Sequence, residues 1–248
     1  MIGIASRHAN GSLPAGDMML ILRKLILICA AWLWFAASPG MAEVADSQSL
    51  LFDAPYLEQL VPPRTLSYSY RRKTRNEKVF GRSFEDTIRV RVAKSDSGDG
   101  LNTVSLEVFT GEHQRRLGPH ADMRGNPVLM VFLELDLWHM KRRVSGAPVY
   151  FRNMIRKAFR DSASIERVAI DFSGRSVLAH KVTIRPFAED QNARRLKDFR
   201  AKTYEFTVSD AVPGGIYRIR TWVPEPDGGG PLIEDMMVIA GVDETEQR

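Results

Sequence analysis

Thirteen residues near the middle of this chain limit the fold more than any other feature. Val128 to Met140 is apolar all round a helical projection, interrupted only by Glu134, Asp136 and His139. Asn126-Pro127 precedes it, a capping side chain followed by a residue that needs no amide hydrogen, so a helix starts there. A helix apolar on every side must be surrounded, yet one this short reaches only about 20 Å, less than the roughly 30 Å hydrocarbon core of a bilayer. The protein itself has to supply the surroundings.

The flanking segments say how. Leu66, Tyr68 and Tyr70 share one face of an alternating run, and so do Ile88, Val90 and Val92, then Val104, Leu106 and Val108. A Gly/Asp/Ser turn at Ser95 to Gly100 separates the last two runs. Such alternation is the mark of half-buried antiparallel strands. After the apolar helix, Pro148 opens a second one, with an apolar stripe of Phe151, Ile155, Ala158 and Phe159 beside a basic stripe of Arg152, Arg156 and Arg160. Strands then resume over 165–172, 176–187, 203–208, 216–223 and 232–240. Pro213-Gly214-Gly215 and the stretch from Pro224 to Pro231 punctuate the last three as turns. Glu189 to Lys202 is a charged stretch read as a short exposed helix. About three strands, two helices and about five strands predict an α+β fold, mainly antiparallel. A curved sheet or unclosed barrel wraps around the central apolar helix, with the second, amphipathic helix beside it.

The N-terminus predicts an exported protein. Arg23-Lys24, an apolar run from Leu25 to Ala37, and Ser38-Pro39-Gly40-Met41-Ala42 form a secretory signal cut after Ala42, with residues 1–17 an upstream extension. A retained anchor is the alternative, disfavoured by the short apolar length. Lipidation at Cys29 is rejected, because Ile28 stands where lipoprotein processing wants a small residue. The expected organisation is a signal over 1–42 and one exported β-rich domain over 43–248, in a bacterial periplasm. The signal holds the only cysteine, Cys29, so the exported part has no disulfide, thiol nucleophile or Cys-based metal site. Loss of three basic residues and one acidic residue with it takes the net charge from +5 to +3.

Three stretches, Gly125-Asn126-Pro127-Val128-Leu129, Tyr150-Phe151-Arg152-Asn153 and Val212-Pro213-Gly214-Gly215-Ile216-Tyr217, make the chain resemble uncharacterised exported proteobacterial proteins. Those in turn are similar to half-barrels of the lipoprotein-carrier (LolA-like) kind. The resemblance covers most of residues 50–240. It implies an unclosed antiparallel barrel with helices across its mouth, and carriage of an apolar ligand, but transfers no catalytic residue.

A search for chemistry finds little. No Ser sits in Gly-x-Ser-x-Gly, and Gly98-Asp99-Gly100 lacks the rest of a dinucleotide loop. The adjacent acids Glu85-Asp86 and Glu234-Asp235 point to opposite strand faces and read as solvated strand ends. His113 and His120, near Glu112 and Asp122, lie in a polar loop without convergent ligand spacing, so no metal is assigned. Asp136, His139 and Arg143 form a neutralised polar stripe on the buried helix. No catalytic residue and no cofactor are expected, and nucleic acid is not a partner.

Two function classes remain. The first is a non-enzymatic carrier of an apolar envelope molecule, a lipid or lipoprotein acyl chain, held between sheet and helix by Leu129, Phe132, Leu133 and Trp138. The second is a structural or interaction protein of the envelope whose interior its own side chains fill. In either case Arg152, Arg156 and Arg160 are candidates for contact with an anionic membrane surface.

Overall fold

The computed structural model describes residues 46–95, 102–144, 146–191 and 193–244. The expected export signal and most of the turn at 95–100 lie outside them. Nine strands form one antiparallel sheet: β1 (Arg64–Thr74), β2 (Phe84–Lys94), β3 (Asn102–Val108), β4 (Arg115–Met123), β5 (Ser164–Phe172), β6 (Arg175–Ile184), β7 (Thr203–Val208), β8 (Ile216–Pro224) and β9 (Pro231–Glu244). Their order across the sheet is β4-β3-β2-β1-β9-β8-β7-β6-β5, so β4 and β5 are free edges and the curved sheet does not close into a barrel. Two helices, α1 (Val128–Lys141) and α2 (Pro148–Asp161), connect the two halves.

The strands bury the face that their alternation marks. Leu66, Tyr68, Ile88, Val90, Val104, Tyr204, Phe206 and Ile219 expose none of their surface. Against them pack Val128, Leu129, Phe132 and Met140 of α1, and Phe151, Ile155 and Phe159 of α2. The chain thus covers its own inner face with two helices, as an antiparallel sheet with one solvated side requires.

Sequence and structure part in three places. β4 is a strand that no alternation marks: eight of its nine residues are exposed, so neither face needed apolar side chains. Bulges in its pairing with β3 and Pro119 within it fit an edge protected from further pairing. The charged stretch before β7 is also not simply exposed. It folds into two short turns, Ala193–Leu196 and Lys197–Ala201, and buries Leu196, Phe199 and Lys202. Finally, α1 is not fully surrounded, because Met130 and Trp138 stand 44% and 55% exposed on one side of it.

Turn residues far apart in the sequence meet in space. Asn126 accepts from the Val128 amide (3.1 Å) and donates from one nitrogen to the Tyr68 hydroxyl and the Gly214 carbonyl, both at 2.8 Å. The Gly-Asn-Pro segment therefore caps α1 and clips it to β1 and to the turn before β8. Gly214 and Gly215 both have positive φ, and a Cβ on them would lie 2.4 Å from Leu66 and 2.1 Å from Tyr56. Only glycine fits there.

Candidate clefts beside the buried helix

Ion pairs lie deep in the core. On β1, Arg72 continues the inward phase of Leu66, Tyr68 and Tyr70, and on β9 Asp235 continues that of Ile233, Met237 and Ile239. The two face each other in a two-pronged pair, both contacts 2.6 Å, and Arg72 also donates to the Tyr70 hydroxyl at 3.2 Å. Asp235 is therefore no solvated strand end. Asp136 of α1 is paired with Lys202, each 2% exposed, and accepts from the Tyr204 hydroxyl at 2.7 Å. Burial and the nearby Asp136 carboxylate push the Tyr204 phenol well above its ordinary pKa, so it stays a donor.

His139 completes this layer. Its Nε2 bonds the Phe80 carbonyl at 2.9 Å, while Nδ1 has no partner. Burial, with the charges of Arg72 and Lys202, pulls its pKa down to about 3, so the ring is neutral and Nε2 carries the hydrogen. The stripe expected along α1 is bonded from three directions: Lys202 and Tyr204 at Asp136, Phe80 at His139, and the Val79 carbonyl, which accepts from Arg143 at 2.5 Å. Arg143 Nε, like His139 Nδ1, has no partner among the described residues. These groups tie α1 to β7, to Lys202 just before it, and to the loop before β2. Tyr70 and Arg72 border a cleft beside α1, and the groups at Asp136 and His139 form a lock.

Open space lies on the two flanks of α1. On one side a groove of about 460 Å³ runs between α1 and α2, closed at one end by the helical turn Ser49–Asp53. Leu133 and Leu137 of α1, Ile155 and Phe159 of α2, and Phe52 form its apolar lining, with Met130 at the rim. Phe52 stands edge-on to Phe159 at 5.2 Å, and Ser47 donates to the Phe159 carbonyl at 2.6 Å, which fixes that end wall.

All three candidate arginines line this groove. Arg152 makes a two-pronged pair with Glu134 at 2.8–3.0 Å, and Arg160 pairs with Asp161 at 2.7 Å. Arg156 is exposed and has no acidic partner among the described residues. Asp161 also pairs with Lys157 at 2.9 Å, so Arg152 has an acid to itself, Arg160 shares one, and Arg156 has none among the described residues.

On the other flank a cleft of about 630 Å³ lies between α1 and the strands β1, β2 and β3, with Trp138 and Leu135 on the helix side. The four residues expected to hold a ligand together are dispersed. Leu129 and Phe132 are 1% exposed and packed in the core, Leu133 lines the first groove, and Trp138 lines the second cleft. The physical reason is the helix itself: at about 100° per residue, position 138 faces away from 129, 132 and 133, which share one side, with Leu133 at its edge. His113 and His120 are both exposed, and among the described residues no three His, Cys, Asp or Glu side chains converge as a metal site would require. Among the same residues, no helix is long and apolar enough to cross a membrane.

No family model matches the chain, and no curated protein matches it. Among solved structures it is similar to the Pseudomonas aeruginosa MucA/MucB complex, with a TM-score of 0.35, 10% identity, and coverage of 76% of this chain and 54% of that one. It is also similar to the Mycobacterium tuberculosis lipoprotein LppX, with a TM-score of 0.29, 9% identity, and coverage of 74% and 88%. The chain spans about half the length of the MucA/MucB chain it matches. Neither likeness assigns a function.

Proposed function

We propose that this is a non-enzymatic protein of the bacterial cell envelope that binds the apolar part of an envelope molecule, a lipid or lipoprotein acyl chain. The site is the groove between α1 and α2. One observation carries this reading: an open groove with an apolar wall and, among the described residues, one unpaired arginine at its edge, though Asp46 and Asp53 line it too. Its volume of about 460 Å³ falls within the range of ordinary small-molecule sites. Leu133, Leu137, Ile155 and Phe159 suit an acyl chain, and Arg156 suits an anionic head group, since its stem can lie along apolar surface while the guanidinium stays in water. The signal read over residues 23–42 supports a periplasmic site of action.

The groove replaces the space between sheet and helix as the place for a ligand. Tyr68, Tyr204, Phe206 and Leu66 expose no surface, so no water-sized void borders them. That same observation favours the second reading, a structural or interaction protein with a self-filled core. Lipid extraction separates the two. Protein purified from the periplasm without detergent and analysed by mass spectrometry should carry close to stoichiometric lipid if the first reading holds. Repeated absence of lipid at high sensitivity would leave the second.

A further inference from the structure

The cleft on the other flank of α1 is built from different residues and owes nothing to the acyl-chain groove. Its floor is aromatic. Tyr70, Phe84 and Phe109 stand with ring centroids 5.1–5.6 Å apart, and the Arg72 guanidinium lies 5.6 Å from the Phe84 ring. Phe109 reaches this cluster only by adopting a φ of 64°, a left-handed conformation that bulky side chains avoid. A strained residue that persists at the lip of an open cleft is a pointer to function. Above the floor, Trp138 leaves more than half its surface in water on a helix whose inward residues are buried.

The charges around this aromatic box are unbalanced. Arg82 and Arg142 line the cleft, both are exposed, and neither side chain has a hydrogen-bond or ion-pair partner among the described residues. Arg115 bonds only the carbonyl of its neighbour Gln114. Two acids, Glu85 and Asp86, line the same cleft; Asp86 accepts from Thr110 and from the Thr87 amide, and Glu85 sits opposite Arg71 across the strands. Arg82 is held beside α1 because the loop carrying it is clamped there, through His139 to the Phe80 carbonyl and Arg143 to the Val79 carbonyl. Arg82, Arg115 and Arg142 outnumber the two acids around one opening, which leaves an excess of positive charge there.

We infer that this cleft is a second binding site, for a small carboxylate or phosphate ester that carries a flat or apolar ring. The ring lies among Trp138, Phe84 and Phe109, and the anionic group meets the guanidinium groups of Arg82, Arg115 and Arg142. Arginine forks suit carboxylate and phosphate oxygens, and aromatic faces suit the ring.

Titration of the full chain with benzoate and with phenyl phosphate tests this, followed by the Trp138 fluorescence obtained as the difference from the Trp138→Phe variant. At least one of the two should bind saturably, at least about tenfold tighter than benzyl alcohol, which lacks the charge, or inorganic phosphate, which lacks the ring. Preference for one anion upholds the site and names its head group. Arg82→Glu/Arg142→Glu should weaken binding at least about tenfold while the melting temperature holds, since both side chains are exposed. Arg156→Glu, in the other groove, should leave it unchanged. No saturable signal from either anion, equal affinity for the neutral alcohol, or full binding by the double variant would overturn the inference.

Discussion

The interior of this molecule and its two rims use the same kinds of side chain in opposite ways. Inside, Asp136 meets Lys202, Arg72 meets Asp235, and the hydroxyls of Tyr70 and Tyr204 complete the set. At the rims, Arg82, Arg142 and Arg156 have no ion-pair partner among the described residues, and Trp138 and Met130 face water. Burial explains the contrast, since an unpaired charge is far costlier in the core than at the surface. The interior charges therefore hold α1 in place, and the side chains at the rims are the ones left available to other molecules.

The contrast would break first at the interior pairs. Asp136→Ala leaves the Lys202 ammonium buried without its partner, and we expect it to cost about 3–5 kcal/mol in chemical denaturation. A loss under about 1 kcal/mol would mean that α1 is not locked as described. Phe132→Ala removes a ring packed 6.2 Å from Tyr70 and should cost a similar 3–5 kcal/mol or so, with bound lipid unchanged because Phe132 does not line the groove. A smaller cost with lipid lost would return the ligand to the space between sheet and helix.

Acid should weaken the interior selectively. His139 titrates near 6.5 when unfolded and near 3 when folded, since burial, Arg72 and Lys202 oppose its protonation more than the Phe80 carbonyl and Asp136 favour it. Between those values the unfolded chain binds the extra proton. The stability of the neutral ring is therefore complete above about pH 6.5 and is lost as the pH falls towards 3, on the order of 3–5 kcal/mol in total. His139→Gln, which keeps a donor for Phe80, should flatten the stability profile over that window. An unchanged slope would place the acid sensitivity elsewhere.

The smallest effects belong to the rim. Arg152 and Glu134 are each about a third exposed (35% and 37%), so Arg152→Ala should cost at most about 1 kcal/mol. Arg156→Glu should leave stability within about 0.5 kcal/mol, yet it should remove most of any preference for vesicles containing anionic lipid, a preference worth roughly 1 kcal/mol for one free charge. If Arg152→Glu and Arg160→Glu each weaken that preference as much, the pairs with Glu134 and Asp161 do not neutralise them.

The inner face of the sheet was legible because burial writes itself into alternation, from Leu66 to Tyr70 and from Ile88 to Val92. Both helices were legible from their caps and periodicity. The edge strand β4 was not, since a strand solvated on both faces has no apolar phase to display. The ion pairs were half-legible: Arg72 and Asp235 keep the inward phase of their strands and Lys202 that of Tyr204, but a run such as Arg71-Arg72-Lys73 reads as a solvated cluster until phase is counted. The clefts were least legible. They depend on which flank of α1 each side chain faces and on which arginine finds an acid, and both are settled by the packing of distant segments.

The central claim is that ligand sits outside a closed core, and the location of a bound chain tests it most directly. A fatty acid carrying a nitroxide on its tail broadens methyl resonances near it. The account predicts the strongest broadening at Leu133, Leu137 and Ile155, with Val90 and Ile219 of the sheet interior little affected. Strongest broadening at Val90 and Ile219 would contradict it, because the chain would then lie between sheet and helix, where the structure places the protein's own side chains.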